Sequence, residues 1–163
     1  MPRTTRLVAG LVSGAVAITL NTLALKAADR VPLATAHGGL LRFIRRSVPH
    51  TFRAFAHVWG RLGGPAVGSA TFQTIFHVFV GFLMALFYAY ALEPVLRGGA
   101  LMKGLIYAGV VWFLNAFWIL PATGEGVAGS AHLTLAGMAW FAAAHTLFFV
   151  VLALLYAWML RRR

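Results

Sequence analysis

The chain has no cysteine, and that absence excludes thiolate nucleophiles, iron–sulfur ligation and disulfides. Acidic residues are nearly missing too: Asp29, Glu93 and Glu125 are the only three among 163 residues. They fall in three different connections between apolar runs, so a juxtaposed carboxylate pair of the glycosidase or aspartic-protease kind is not expected, although Asp29 and Glu125 share a side. No GxxxxGK[ST] phosphate loop, GxSxG elbow or HExxH helix occurs, and no long apolar run has an internal proline. Hydrolase and kinase chemistry therefore lack their groups, and the sequence reads as non-catalytic.

What is abundant is hydrophobicity. Hydrophobic residues make up 61% of the chain and charged ones 10%, with a mean hydropathy of +0.82; an ordinary soluble domain is nearer one quarter charged. The apolar residues are gathered into blocks at 7–25, 69–92, 101–120 and 135–160. A helix rising ~1.5 Å per residue needs about 20 such residues to cross the ~30 Å hydrocarbon core. None of the four blocks contains Asp, Glu or Arg, and Lys103, in the first turn of the third, is expected to reach the headgroups. Backbone groups in lipid must be paired internally, and period-two alternation is absent, so the spans are predicted to be helices rather than barrel strands. The first block follows Arg3 and Arg6 but runs for 19 residues. A signal h-region is about 7 to 15 residues long, so a retained helix is expected. The fold class is an all-α membrane protein with a single transmembrane domain over residues 1–163.

Sliding the chain on itself reveals an internal similarity. An offset of 94 places Gly10, Leu11, Val16, Leu20 and Asn21 on Gly104, Leu105, Val110, Leu114 and Asn115; an offset of 68 places His77, Ala85, Tyr88 and Ala89 on His145, Ala153, Tyr156 and Ala157. Matches of Asn, His, Tyr and Gly are less common by chance in membrane sequence than matches of Leu. The expected architecture is two parallel helical-hairpin repeats related by a pseudo-two-fold axis along the membrane normal. The offsets differ because the first repeat carries an insertion.

Within that insertion, at about 39–62, Leu41, Ile44, Val48, Phe52, Phe55 and Trp59 recur at three- and four-residue steps, while Arg42, Arg45, Arg46 and Arg53 fall mainly elsewhere. This predicts an amphipathic interfacial helix, broken or kinked at Pro49, contacting lipid or a partner subunit. Each of its arginines contributes about 1 kcal/mol toward anionic lipid. The formal net charge is +11, but the basic residues sit at helix ends and in this segment, which points to lipid headgroups rather than nucleic acid. Seven basic residues lie on each side of the membrane, so weight falls on those beside short loops, which place the termini in the cytoplasm.

Four polar residues remain inside the spans: Asn21, His77, Asn115 and His145. Counted along their helices at ~1.5 Å per residue, the asparagines lie ~21 Å and the histidines ~24 Å from the terminal side. They form one layer in the half of the membrane away from the termini. Gly10, Gly14, Ala17 and Asn21 share one helix stripe; Gly104, Ala108 and Asn115 share another; His77, Gly81, Ala85 and Tyr88 make a third; His145, Phe149, Ala153 and Tyr156 make a fourth. Small residues allow close helix approach, and Gly10 with Gly14 is a GxxxG pair, so these stripes are expected to face inward.

Three readings of the layer stay open. Each Asn hydrogen-bonds a neutral His and fastens its helix pair, a bond averaging about 0.6 kcal/mol in membranes. Alternatively, intramembrane ionisable residues mark function, and His77 and His145 bind haem b or a quinone, oriented by Asn21 and Asn115 and enclosed by Phe82, Trp112, Phe148 and Phe149. A third reading is a site for a small solute or proton in transport, although such sites usually need broken helices. A bare zinc site is disfavoured because two imidazoles leave it two ligands short. His37 and His132 in loops, and His50 and His57 in the insertion, are expected in solvent or headgroups. Pro121, Gly124, Glu125 and Gly126 read as a turn, with Glu125 available to an arginine of the insertion.

The basic start, the GxxxG helix, the His77–Gly81–Ala85–Tyr88 span, the P-x-x-G-x-G turn and the second His-to-Tyr span resemble a group of small four-helix bacterial inner-membrane proteins of uncharacterised activity, with a duplicated helix pair. The resemblance covers the two helix pairs and implies the same fold and membrane. It implies no mechanism. The expected role is an accessory or assembly subunit that packs against lipids and other membrane subunits, or against copies of itself, most simply without a cofactor.

Overall fold

The computed structural model describes residues 3–28, 30, 31, 33 and 38–161. Asp29 and His37 lie outside the described residues, as do Arg162 and Arg163. The elements are α1 (Arg3–Ala28), α2 (Gly39–Ser47), α3 (Pro49–Arg61), α4 (Ala70–Phe87), α5 (Ala100–Leu114), a one-turn α6 (Leu120–Ala122) and α7 (Leu135–Arg161). Two π-helical turns, Tyr88–Leu92 and Asn115–Ile119, prolong α4 and join α5 to α6. No strand occurs among the described residues. Four continuous helical stretches, Arg3–Ala28, Ala70–Leu92, Ala100–Ala122 and Leu135–Arg161, are long and apolar enough to cross a membrane, and the chain is a multi-pass membrane protein.

Helix α4 starts where Ser69 accepts a hydrogen bond from the Phe72 amide at 3.2 Å, an N-cap satisfying one of the orphan donors of the first turn. The insertion is two helices, broken at Pro49 as expected. Proline lacks the amide proton needed in a helix interior, so α2 ends at Ser47 and α3 begins with Pro49 in its first turn. Gly63, at φ +76°, then ends α3 in the left-handed conformation that a Cβ disfavours.

In the bundle α1 and α7 are central. α4 packs on α1, α5 packs on α7, and α1 packs on α7 along most of its length. The first pair is held at glycines: a Cβ on Gly10 would sit 3.2 Å from Ala89 Cβ, one on Gly14 would sit 2.6 Å from Ala85 Cβ, and one on Gly81 would sit 2.6 Å from Ile18 Cδ1. In the second pair a Cβ on Gly104 would come within 2.9 Å of the Phe149 carbonyl and 3.1 Å of Ala153 Cβ. The four expected stripes are thus the packing faces.

An ideal two-fold of the expected kind would pack α4 on α5 as α1 packs on α7. Among the described residues it does not: α4 and α5 form no close backbone interface, and the bundle is open along that side. Tyrosines bridge the gap near the terminal end. Tyr107 donates to the Met84 carbonyl at 3.3 Å and stacks on Tyr88 at 6.1 Å between centroids, and Tyr88 meets Tyr156 edge-on at 5.7 Å. Tyr107 is one wall of the gap, an apolar cleft of about 720 Å³.

Lys103, in the first turn of α5, reaches back to the connection that precedes it. Its Nζ donates to the Glu93 carbonyl at 2.7 Å and pairs with Glu93 Oε1 at 3.3 Å, so the short second connection supplies its counter-charge.

Candidate functional site

The Asn/His layer is a cavity of about 350 Å³ between α1, α4, α5 and α7, covered on the insertion side by the start of α2. All four predicted polar residues line it. Asn21, essentially buried, donates from Nδ2 to the Ala144 carbonyl on α7 at 2.8 Å, and its Oδ1 lies 2.9 Å from His77 Nε2 on α4. One amide therefore ties three helices. The carbonyl can only accept, which fixes the amide nitrogen toward Ala144 and leaves Oδ1 as acceptor for His77 Nε2–H. His77 then carries its proton on Nε2 and a lone pair on Nδ1.

The second half of the layer departs from expectation. His145 does not bond Asn115; its Nδ1 donates to the Phe141 carbonyl one turn earlier in α7, at 2.8 Å. No side-chain hydrogen bond of Asn115 is found among the described residues, although the residue borders the cavity. The physical reason is register. Gly10 faces Ala89 and Gly14 faces Ala85, but Gly104, the counterpart of Gly10, faces Ala153, the counterpart of Ala85. The α5/α7 pair is slid by one helical turn, and Asn115, which opens a π turn, is carried past the level of His145.

The haem reading asks for two held imidazoles and an enclosing ring of aromatics. A ligating histidine coordinates through one ring nitrogen while the other is held by a hydrogen bond. Among the described residues both histidines are so disposed, His145 with Nε2 free and His77 with Nδ1 free while Asn21 holds its Nε2. Of the expected enclosing aromatics, Phe148 and Phe149 border the cavity whereas Phe82 and Trp112 do not; Phe82 packs beside Gly14 instead. Among the described residues no group of three or more His, Asp or Glu stands ready to hold a metal ion.

Several lining residues were not anticipated. Thr22, Lys26, Gln73 and Thr74 line the insertion-side end of the cavity together with Gly38 and Gly39. Their signal in the sequence is faint, because Thr and Gln at a span's end read as ordinary interface residues.

The covering helix α2 is anchored by Leu41, which is buried, by Gly39 against Leu120, and by polar links to the turn after α6: Arg42 pairs with Glu125, and Arg46 donates to the Ala122 carbonyl at 3.2 Å. The pairing of Glu125 with an insertion arginine was legible from the sequence. The Arg42 side chain is 44% exposed, and exposed pairs contribute roughly 0–1 kcal/mol. Glu125→Gln is accordingly expected to lower stability by less than about 1 kcal/mol, by an amount that shrinks in high salt. Denaturation of both proteins at two ionic strengths checks this; a salt-independent loss of several kcal/mol would contradict it.

Comparison of the chain with known protein families, with curated proteins and with solved structures returns no match.

Proposed function

We propose that the protein is a non-catalytic accessory subunit of a larger membrane complex, built from a duplicated hairpin and carrying an interfacial arm, α2–α3. The observation that carries this reading is the state of α3. It is amphipathic, yet none of its residues is buried. Phe55 and Val58 are exposed, and its aromatic edge continues through Phe55, Trp59 and Phe72 to Phe76 with centroid separations of 5.8 to 6.4 Å. Arg45, Arg46 and Arg53 stand exposed on the arm, with Phe52 half-buried. A helix with no fully buried residue in its own chain finds burial in the membrane interface or under a neighbour.

Supporting a binding rather than a chemical role, both described carboxylates are used as structural ion pairs, Glu93 with Lys103 and Glu125 with Arg42. The proposed setting is a bacterial inner membrane with cytoplasmic termini, so that the arm lies on the far side.

A photoreactive residue at Phe55 or Val58, activated in native membranes, tests the reading. The expected result is one predominant polypeptide adduct of defined mass that disappears when Arg45 and Arg53 are replaced by alanine. Adducts with lipid alone at both positions would overturn the accessory role and leave the arm a lipid-facing helix.

A further inference from the structure

Among the described residues, hydrogen bonding on the cavity wall leaves two nitrogens without partners. Nδ1 of His77 and Nε2 of His145 each keep a lone pair, because the protons reside on the nitrogens bonded to Asn21 and to the Phe141 carbonyl. Among the described residues no side-chain nitrogen or oxygen is both sealed and unpartnered. These two nitrogens, and the Asn115 amide, therefore meet open space, and the space that all three residues border is the 350 Å³ cavity.

The polar cavity and the apolar α4/α5 cleft adjoin. Leu40, Phe76, Val80, Met84 and Val111 are walls of both. The cleft continues along α4 from Phe76 to Leu92, sixteen residues further. At ~1.5 Å per residue that is ~24 Å, most of the ~30 Å hydrocarbon thickness. An acyl tail confined to one leaflet spans only about half that thickness.

We infer that the two spaces form one binding site for an amphiphile with a hydroxyl-bearing head and a single long polyisoprenoid chain. The head sits at the Asn/His cavity and the chain lies between α4 and α5. Two fixed acceptors select a head that donates hydrogen bonds. A quinol or a prenol meets that requirement at both imidazoles, whereas the carbonyls of a quinone find donors only at residues such as Asn115 and leave both imidazole lone pairs unpaired. A site whose buried polar groups are left unpaired by an analogue discriminates strongly against it. The cavity and cleft volumes fall within the ~300–1,000 Å³ usual for small-molecule sites. This proposal is independent of the accessory role, which concerns the arm, so either can fail alone.

The test uses the full chain in phosphatidylcholine nanodiscs, with 1:1 complexes counted by native mass spectrometry. The probes are a long-chain ubiquinol, the same ubiquinone, undecaprenol, undecaprenyl phosphate and dioleoylglycerol. The expected result is that the quinol or the prenol binds at least about ten-fold tighter than the quinone, and the stronger of the two identifies the source of the hydroxyl head. His145→Phe, which keeps a ring but removes the acceptor, should lose about ten-fold for that probe, and His145→Gln should recover most of it. Val110→Trp, filling the cleft, should weaken the long-chain probe but not a two-isoprene analogue.

A quinone that binds as tightly as both the quinol and the prenol overturns the proposal, as does tightest binding of dioleoylglycerol or of the prenyl phosphate, or unchanged binding in folded His145→Phe. If His145→Phe does not fold, the donor-versus-acceptor comparison on the unaltered chain and the Val110→Trp variant still decide.

Discussion

Leucine at position 14 is expected to unseat α4 from α1. A Cβ there would already lie 2.6 Å from Ala85 Cβ, and Ala85 is fully buried, so the two helices themselves must part. Overpacking of a close core contact costs about 1–3 kcal/mol and more where backbones must part. Helices in lipid lack a hydrophobic drive to hold them together and depend on such close approach, so a loss at or above the upper end of that range is expected. Gly104→Leu should behave alike, because its Cβ would meet the Phe149 carbonyl at 2.9 Å and Val150 Cα at 3.0 Å, both backbone atoms. Gly109 is the control: a Cβ there meets nothing within 4 Å, and Gly109→Leu should leave stability within about 0.5 kcal/mol. Denaturation in mixed detergent micelles measures all three. A Gly14→Leu protein as stable as Gly109→Leu would refute the packing described for α1 and α4.

The second large effect is expected at Asn21. Its amide donates to Ala144 and accepts from His77, so Asn21→Leu removes two interhelical bonds and leaves the Nε2 proton of His77 without its acceptor. Single interhelical bonds in membranes average about 0.6 kcal/mol. An unsatisfied buried donor adds about 1–3 kcal/mol, so a total loss of roughly 2–4 kcal/mol is expected. A double-mutant cycle with His77→Phe isolates the shared bond and should give a coupling of about 0.5 kcal/mol or more. Asn115→Leu should be much milder, since among the described residues that amide bonds no second helix. Equal losses at positions 21 and 115 would show that the two halves of the layer are fastened alike, contrary to the register slip.

Much of this was readable before any coordinates. Length and composition of the four apolar runs placed the helices to within a few residues, because each must satisfy its own backbone while crossing lipid. Stripe analysis found Gly10, Gly14, Gly81 and Gly104 at packing faces, since residues three and four apart share a helix surface wherever the helix lies. It also brought Asn21, His77, Asn115 and His145 to one cavity, because depth follows from counting residues. Pairing was less legible. Asn21 with His77 was anticipated, but nothing in the order of residues says that α5 slides one turn against α7 and strands Asn115. Tyr107 drew no notice, although it bridges to α4 through Met84 and packs on Phe149 at 4.4 Å.

The two π turns were also missed. A π turn differs from an α turn by one hydrogen bond's reach, a difference too small to alter hydropathy or periodicity over a span. At Tyr88 and Asn115 it turns the helix face that follows.

By itself, then, the sequence determined that the chain carries four helices long and apolar enough to cross a membrane, which faces of those helices pack, and where along them its few polar groups lie. Those properties depend on local hydrogen bonding, on the lipid as solvent and on distance along a helix, all of which are written in residue order. Only the tertiary structure decided which neighbours those faces choose: α1 on α7 rather than α4 on α5, a single asparagine binding three helices, and a cleft left open beside the polar cavity. Such choices turn on contacts between distant residues that differ by one turn of helix, and a shift of one turn leaves every local pattern unchanged.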